Sequence, residues 1–149
     1  MKILLIEDDA DLRSEMADEL ERRGHHVRTA GNGAMAFSIA THELLDAIVL
    51  DYYLPDASGA ALLKRMREAD VFAGVVVVTA DSKIGQEDFT GLDIWSVMVK
   101  PIVIGELEEK LRESSEFASL AISGVMDKKL NACLERLVYL NAQFQAIHP

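Results

Sequence analysis

The chain predicts an α/β fold: one parallel sheet of five strands, doubly wound, with helices on both faces. The first observation is a set of short strand-like runs at about 2–6, 26–30, 46–50, 75–79 and 95–99. Several are continuous in Val, Ile and Leu, as strands buried on both faces are. The second is that helical patterns fill the gaps, at about 10–23, 33–43, 58–69 and 104–122. Strands alternating with helices imply parallel pairing with both faces covered.

The elements follow in order. The run KILLIEDD opens the chain as a strand ending in Glu7, Asp8 and Asp9. The first helix carries Leu12, Met16 and Leu20 at i, i+4 and i+8, with charged residues between, and Gly24 stops it. His25 and His26 sit at the turn before the second strand. No carboxylate or cysteine stands at ligand spacing, so both are read as solvated. GNG at 31–33 is a turn, and LLDAIVL is a buried strand leading to Asp51. LPDASG at 54–59 is a loop in which Ser58 offers a helix cap. GVVVVTAD is a β-branched strand ending in Thr79. The stretch DSKIGQEDFTGLDI, 81–94, holds the weakest helical candidate, at 83–91. Gly85 and Gly91 each cost roughly 1 kcal/mol against Ala in a helix interior. SVMVKPI is the last strand, ending in Lys100 before Pro101. ELEEK at 106–110 is a charged helix face with Glu106–Lys110 pairing.

Ligands of open α/β sheets bind outside the carboxyl ends of the strands. That edge here would gather carboxylates, a hydroxyl and an ammonium. Clustered acids repel and resist ionising together. A hard divalent ion resolves this, and Mg2+ is held by one or two carboxylates plus waters and phosphate oxygens. Lys100 and Thr79 can meet the oxygens of a phosphoryl group. The composite suits transfer of phosphate onto a carboxylate nucleophile.

In order and spacing, these motifs resemble those of the response-regulator receiver domain of two-component signalling, over residues 1–113. The resemblance implies a flavodoxin-like sheet of order 2-1-3-4-5. It implies Asp51 as phosphoacceptor, charged by a histidine kinase or phosphotransfer protein. Asp8 would bind Mg2+ directly, Glu7 through a water, and the Tyr53 carbonyl would complete the ligands with Asp51. Thr79 and the Ala80 N–H would bond the phosphoryl group, and Lys100 would pair with it. No enzymatic activity is implied beyond self-catalysed phosphoryl transfer and autodephosphorylation. Asp9 has no matching role and is read as a first-turn acid of the following helix. One departure stands out: the family's switch aromatic, three residues before the Lys, is Val97. Trp95 would share Val97's face by strand alternation. It is read as a partly exposed surface residue, the alternative being a substitute reporter. A haloacid-type hydrolase also uses Asp, Mg2+ and Lys, but would carry a second Asp where Tyr53 stands.

At 149 residues, half of them apolar, the chain fits one domain and an appendage. No apolar run approaches a membrane span, and no secretory signal is visible. The single cysteine, Cys133, excludes an internal disulfide framework and fits a reducing cytoplasm. Residues 1–113 carry 22 acids against 12 bases, while 114–149 balance three against three. That charge disfavours nucleic acid, which is bound through Lys and Arg contacts to phosphates.

Residues 114–149 form an extension. Met126, Leu130, Cys133, Leu137, Leu140, Phe144 and Ile147 recur in steps of four and three, the coiled-coil period, and Val125, Leu134 and Val138 widen the face. This predicts a homodimer through 124–147. The alternative is a helical hairpin with 106–122, turning at Ser123–Gly124. The leading function is a phosphorylation switch acting on a downstream protein. A second reading is a constitutive dimer or docking adaptor with a vestigial switch. A third takes the chain as the receiver fragment of a longer regulator.

Overall fold

The sheet forms because its strands have nowhere else to put their side chains. The structure, a computed structural model, describes residues 1–147, apart from the side chains of Val125, Met126, Lys129 and Ile147. The seam positions at Met126 and Ile147 therefore lie outside the described side chains. Five strands, β1 Lys2–Ile6, β2 His26–Ala30, β3 Ala47–Leu50, β4 Gly74–Thr79 and β5 Ser96–Val99, pair in parallel in the order β2-β1-β3-β4-β5. Every residue of β3 and β4 is buried. The expected strands agree with these to within one residue.

Four α-helices complete the described fold: α1 Ala10–Arg22, α2 Gly33–His42, α3 Gly59–Glu68 and α4 Ile104–Ile147. Their starts are chemically marked. Asp9 caps α1 through Asp11 N and Leu12 N, Asn32 caps α2 through Met35 N, and Ser58 caps α3 through Ala61 N. Asp9 is thus the cap itself rather than a first-turn acid, because its side chain reaches the N–H groups that the helix leaves unpaired. Gly24, at φ +93°, ends α1 as expected.

Strand alternation divides the core in two. Leu4, Ile6, Ile48, Leu50, Val75 and Val77 face α2 and α3. Ile3, Leu5, Val49, Val76 and Val78 face α1 and the start of α4 through Leu20, Leu107 and Leu111. Burying each such aliphatic side chain is worth about 1.5–3 kcal/mol.

At 83–91, the weakest helical candidate, the chain makes only a short 3-10 turn, Gln86–Phe89. Gly85 and Gly91 bracket it, and the fully buried Phe89 holds it to the core. Arg67 of α3 pins the surrounding loops. Its guanidinium donates to the carbonyls of Val71, Ala73, Leu92 and Asp93 at 2.9–3.0 Å.

Three further expectations are corrected. Trp95 does not share a face with Val97: it precedes β5 and packs on the α1/α4 cluster, whereas Val97 packs on the α2/α3 cluster. The Trp95 indole donates to Glu113 at 2.9 Å and its ring lies 5.4 Å from that of Phe117. Its alternation fails because the regular ladder begins only at Ser96. His25 is not solvated, since its side chain is 8% exposed. It links the N-terminal amine, at 2.9 Å, to Glu108, at 2.7 Å, and this bond is the main cause of the lowered Glu108 pKa. Its partners come from residue 1 and from α4, so no local spacing could show them.

There is no turn at Ser123–Gly124, because α4 runs unbroken for 44 residues. Met1–Ala118 form one compact unit and the chain from Ser119 onward a second. A glycine costs only about 1 kcal/mol within a helix, and the Leu- and Ala-containing flanks carry the helix through it. In the second unit Leu130, Leu134, Leu137, Val138 and Leu140 are exposed. Gly124→Ala meets no atom within 4 Å. It should therefore raise helix stability by about 1 kcal/mol in far-UV thermal melts. A loss of helicity would restore the hairpin.

Candidate functional site

Three strands deliver the residue just beyond them, and β4 its own last residue, to one edge of the sheet. Ile6 pairs with Leu50, Leu50 with Val77, and Thr79 with Val99. The ladder extends one step beyond the strands: Glu7 N donates to Ala30 O at 3.0 Å, Asp51 N to Ile6 O at 3.1 Å, and Lys100 N to Thr79 O at 2.8 Å. The backbone thus aims Glu7, Asp51, Thr79 and Lys100 before any side-chain contact forms.

Lys100 Nζ donates to Glu7 Oε2 at 2.7 Å and to Asp51 Oδ2 at 3.1 Å. Glu7 and Asp51 are 3% and 7% exposed, Thr79 is fully buried, and Asp8 is exposed. Carboxylate oxygens of Glu7, Asp8 and Asp51 all lie within 4.8 Å of one another. Burial pushes the Glu7 carboxyl up; the Lys100 bond opposes this without reversing it, and neighbouring Asp51 adds to the rise. For Lys100, burial favours the neutral amine, but bonds to Glu7 and Asp51 outweigh it and the pKa rises. One ammonium therefore faces three acids. Oxygen donors that converge with uncompensated negative charge fit a hard divalent cation such as Mg2+.

Thr79 Oγ1 accepts from Asp81 N at 3.2 Å, and exposed Ala80 lies between these two residues. Tyr53 N approaches Asp51 Oδ1 at 3.4 Å, and its hydroxyl donates to Asp81 Oδ2 at 2.7 Å. That bond raises the Tyr53 phenol and lowers the Asp81 carboxyl. The residue two beyond Asp51 thereby joins the residue two beyond Thr79. Asp56, in the same loop as Asp51, accepts from Gly33 N at 2.7 Å and Ala34 N at 2.9 Å, which lowers its pKa. Asp81 and Asp56 were not singled out in sequence. The neighbouring order of β3 and β4 could have flagged Asp81; nothing local marks Asp56.

The response regulator receiver domain family matches residues 3–112. Transcriptional regulatory protein PrrA of Mycobacterium tuberculosis is 32% identical over 113 residues, covering 74% of this chain and 48% of PrrA. Virulence transcriptional regulatory protein PhoP of Salmonella typhimurium is 31% identical over 132 residues, covering 83% of this chain and 57% of PhoP. The chain spans about half the length of the curated relatives it matches. Among solved structures, response regulator TrrA of Thermotoga maritima, in complex with Mg2+ and BeF, is 27% identical with a TM-score of 0.68, covering 75% of this chain and 96% of that one. A CheY-like receiver domain from Methanospirillum hungatei shares the fold, with a TM-score of 0.73 at 21% identity, covering 80% and 97%. The chain belongs to the response-regulator receiver family of two-component systems. Among the described residues, no helix is long and apolar enough to cross a membrane.

A raised carboxyl pKa means that ionising Glu7 costs the native state. The cost is absent below its ordinary value of 4.5, grows as pH rises from there to the raised value, and is full above it. Metal-free Glu7→Gln should therefore melt higher than wild type at pH 7, with the gap closing below pH 4.5. The stabilisation that Mg2+ gives wild type should shrink in the variant. Melting curves at both pH values, with and without Mg2+, check this.

Proposed function

We propose that this chain is a phosphorylation switch whose acceptor is Asp51. The observation that carries the reading is the buried Asp51 carboxylate, set among acids and paired with a single ammonium, Lys100, at 3.1 Å. Residues 1–113 would act as the receiver and 114–149 as an extension. The donor would be a phosphohistidine on a sensor kinase or phosphotransfer protein. An Asp51 oxygen attacks phosphorus, the O–P bond forms as the P–N bond breaks, and the imidazole leaves with that electron pair. Lys100 turns from carboxylate to phosphoryl oxygen, and the Thr79 hydroxyl and Ala80 N–H donate to the others. Mg2+, held by Asp8, Asp51, the Tyr53 carbonyl and through water by Glu7, would neutralise charge on the phosphoryl group. Water then attacks phosphorus, the Asp51 O–P bond breaks, and inorganic phosphate leaves with the Asp51 carboxylate restored.

Output would pass through protein contact, since the acidic receiver disfavours nucleic acid. Val97 cannot serve as an aromatic reporter. Drawing Thr79 inward would instead bear on Asp81 and the 86–99 segment. A cytoplasmic setting suits this role and leaves Cys133 a free thiol. A constitutive adaptor needs no clustered charge, so the site favours the switch.

Asp51→Asn should abolish Mg2+-dependent uptake of phosphate from a small acyl-phosphate donor while the melting curve stays close to wild type, because Asn is isosteric but not nucleophilic. Uptake at the wild-type rate would move the acceptor elsewhere. Trp95 emission should change only weakly on Mg2+ addition, because its ring packs on the α1/α4 cluster.

The exposed Leu130, Leu137 and Leu140 support pairing with a second copy. Sedimentation equilibrium should show a homodimer with a dissociation constant of about 1 μM or below. Leu137→Glu with Leu140→Glu places like charges in the seam and should give a monomer that still accepts phosphate. A wild-type chain monomeric at about 100 μM, roughly a hundred times that constant, would end the dimer reading.

A further inference from the structure

Arg13 of α1 forms no ion pair among the described residues, although acids surround it in sequence. Its Nη1 donates instead to the carbonyl of Glu7 at 2.7 Å, with a longer 3.5 Å approach to the carbonyl of Asp8. The guanidinium lies against Gly31: a Cβ there would stand 2.8 Å from Nη1 and 3.3 Å from Cζ, so any side chain at 31 would make the guanidinium shift. A half-buried guanidinium thus fills the space that Gly31 leaves and grips the backbone of the acidic turn.

The turn from β1 into α1 is otherwise held at Glu7 N, by Ala30 O at 3.0 Å, and at Asp9 N, by Glu7 Oε1 at 3.2 Å. Asp9 in turn caps α1. None of these contacts restrains the Glu7–Asp8 peptide from its carbonyl side; Arg13 does. Asp8 is exposed and its carboxylate accepts no hydrogen bond within the described residues. Its aim therefore depends on the backbone that carries it. An outer contact of this kind orients a metal ligand without touching the metal.

We propose that Arg13, admitted by Gly31, is a positioning residue that holds the Glu7–Asp8 peptide so that the Asp8 carboxylate is preset for Mg2+. This rests on reading the acidic cluster as a Mg2+ site. Guanidinium geometry suits the task, because a planar fork directs its hydrogen bonds where an ammonium would not. Charge and positioning predict opposite signs. Deleting a nearby positive charge should by itself tighten Mg2+ binding, whereas losing the preset aim of Asp8 should weaken it.

The test is calorimetric titration of the full chain with Mg2+. Arg13→Met should weaken binding about ten-fold, the lower end of what outer-shell partners contribute. Gly31→Ala keeps every charge but crowds the guanidinium, and should weaken binding similarly. The double variant should be no worse than either alone, since both break one contact. Arg22→Met removes the same charge from the exposed end of the same helix and should leave Mg2+ affinity unchanged. Phosphate uptake by Arg13→Met should need more Mg2+ yet reach the wild-type rate at saturation, a split that general damage to the fold would not produce. If Gly31→Ala proves unstable, Arg13→Met carries the test, because it only removes contacts. Unchanged or tighter Mg2+ binding in Arg13→Met overturns the proposal while leaving the site intact. A wild-type chain that binds no Mg2+ overturns the reading of the site itself.

Discussion

One ammonium holds the working edge of this sheet together. Glu7 and Asp51 come from neighbouring strands and would repel at their observed burial; Lys100 touches both. It does so from beyond β5, across the end of β4 and onto β3 and β1. That reach is possible only because parallel strands place all their carboxyl ends on one side. The pairing spans nearly the whole width of the sheet. Among the described residues it also leaves Asp8 without a cation of its own, which is why the cluster as a whole retains negative charge.

Such a cluster needs a rigid support, and the strands beneath it supply one. β3 and β4, which lead into the Asp51 and Thr79 positions, are the most completely buried elements of the fold. Side chains leave them on both faces and lock against α1 to α4. Electrostatic discomfort at the edge is small beside the burial of these strands, at about 1.5–3 kcal/mol per aliphatic side chain. The loops above the edge are joined by polar contacts instead: Tyr53 to Asp81, and Asp56 to the start of α2. The rigid part therefore sets position, and the hydrogen-bonded part is free to rearrange.

The strands, three helices and the Ser58 cap were legible because each is written in a local pattern: a β-branched run, apolar residues at i, i+4 and i+8, a Ser ahead of a helix. So were the strand-end residues, since the end of an apolar run marks its own boundary. What stayed hidden was non-local. His25 finds partners at residues 1 and 108, and Asp56 at 33 and 34. Trp95 defeats strand parity because it stands one residue outside the ladder. Ser123–Gly124 reads as a turn by composition, yet nothing there needs to turn, and the helix continues at small cost. The 3-10 turn at Gln86–Phe89 lies between these cases: its glycines were visible, but the anchoring by Phe89 was not.

Arg67 carries a consequence for how the molecule breathes. Its four bonds tie the α3–β4 connection, through Val71 and Ala73, to the segment before β5, through Leu92 and Asp93. Neither loop can open fully without releasing the guanidinium, and its release frees carbonyls in both. In amide hydrogen exchange the two loops would behave as one cooperative opening unit, though the buried strand β4 and the largely exposed segment 80–91 separate them in sequence. A partner that stiffened the segment before β5 would thus slow exchange at the far end of α3.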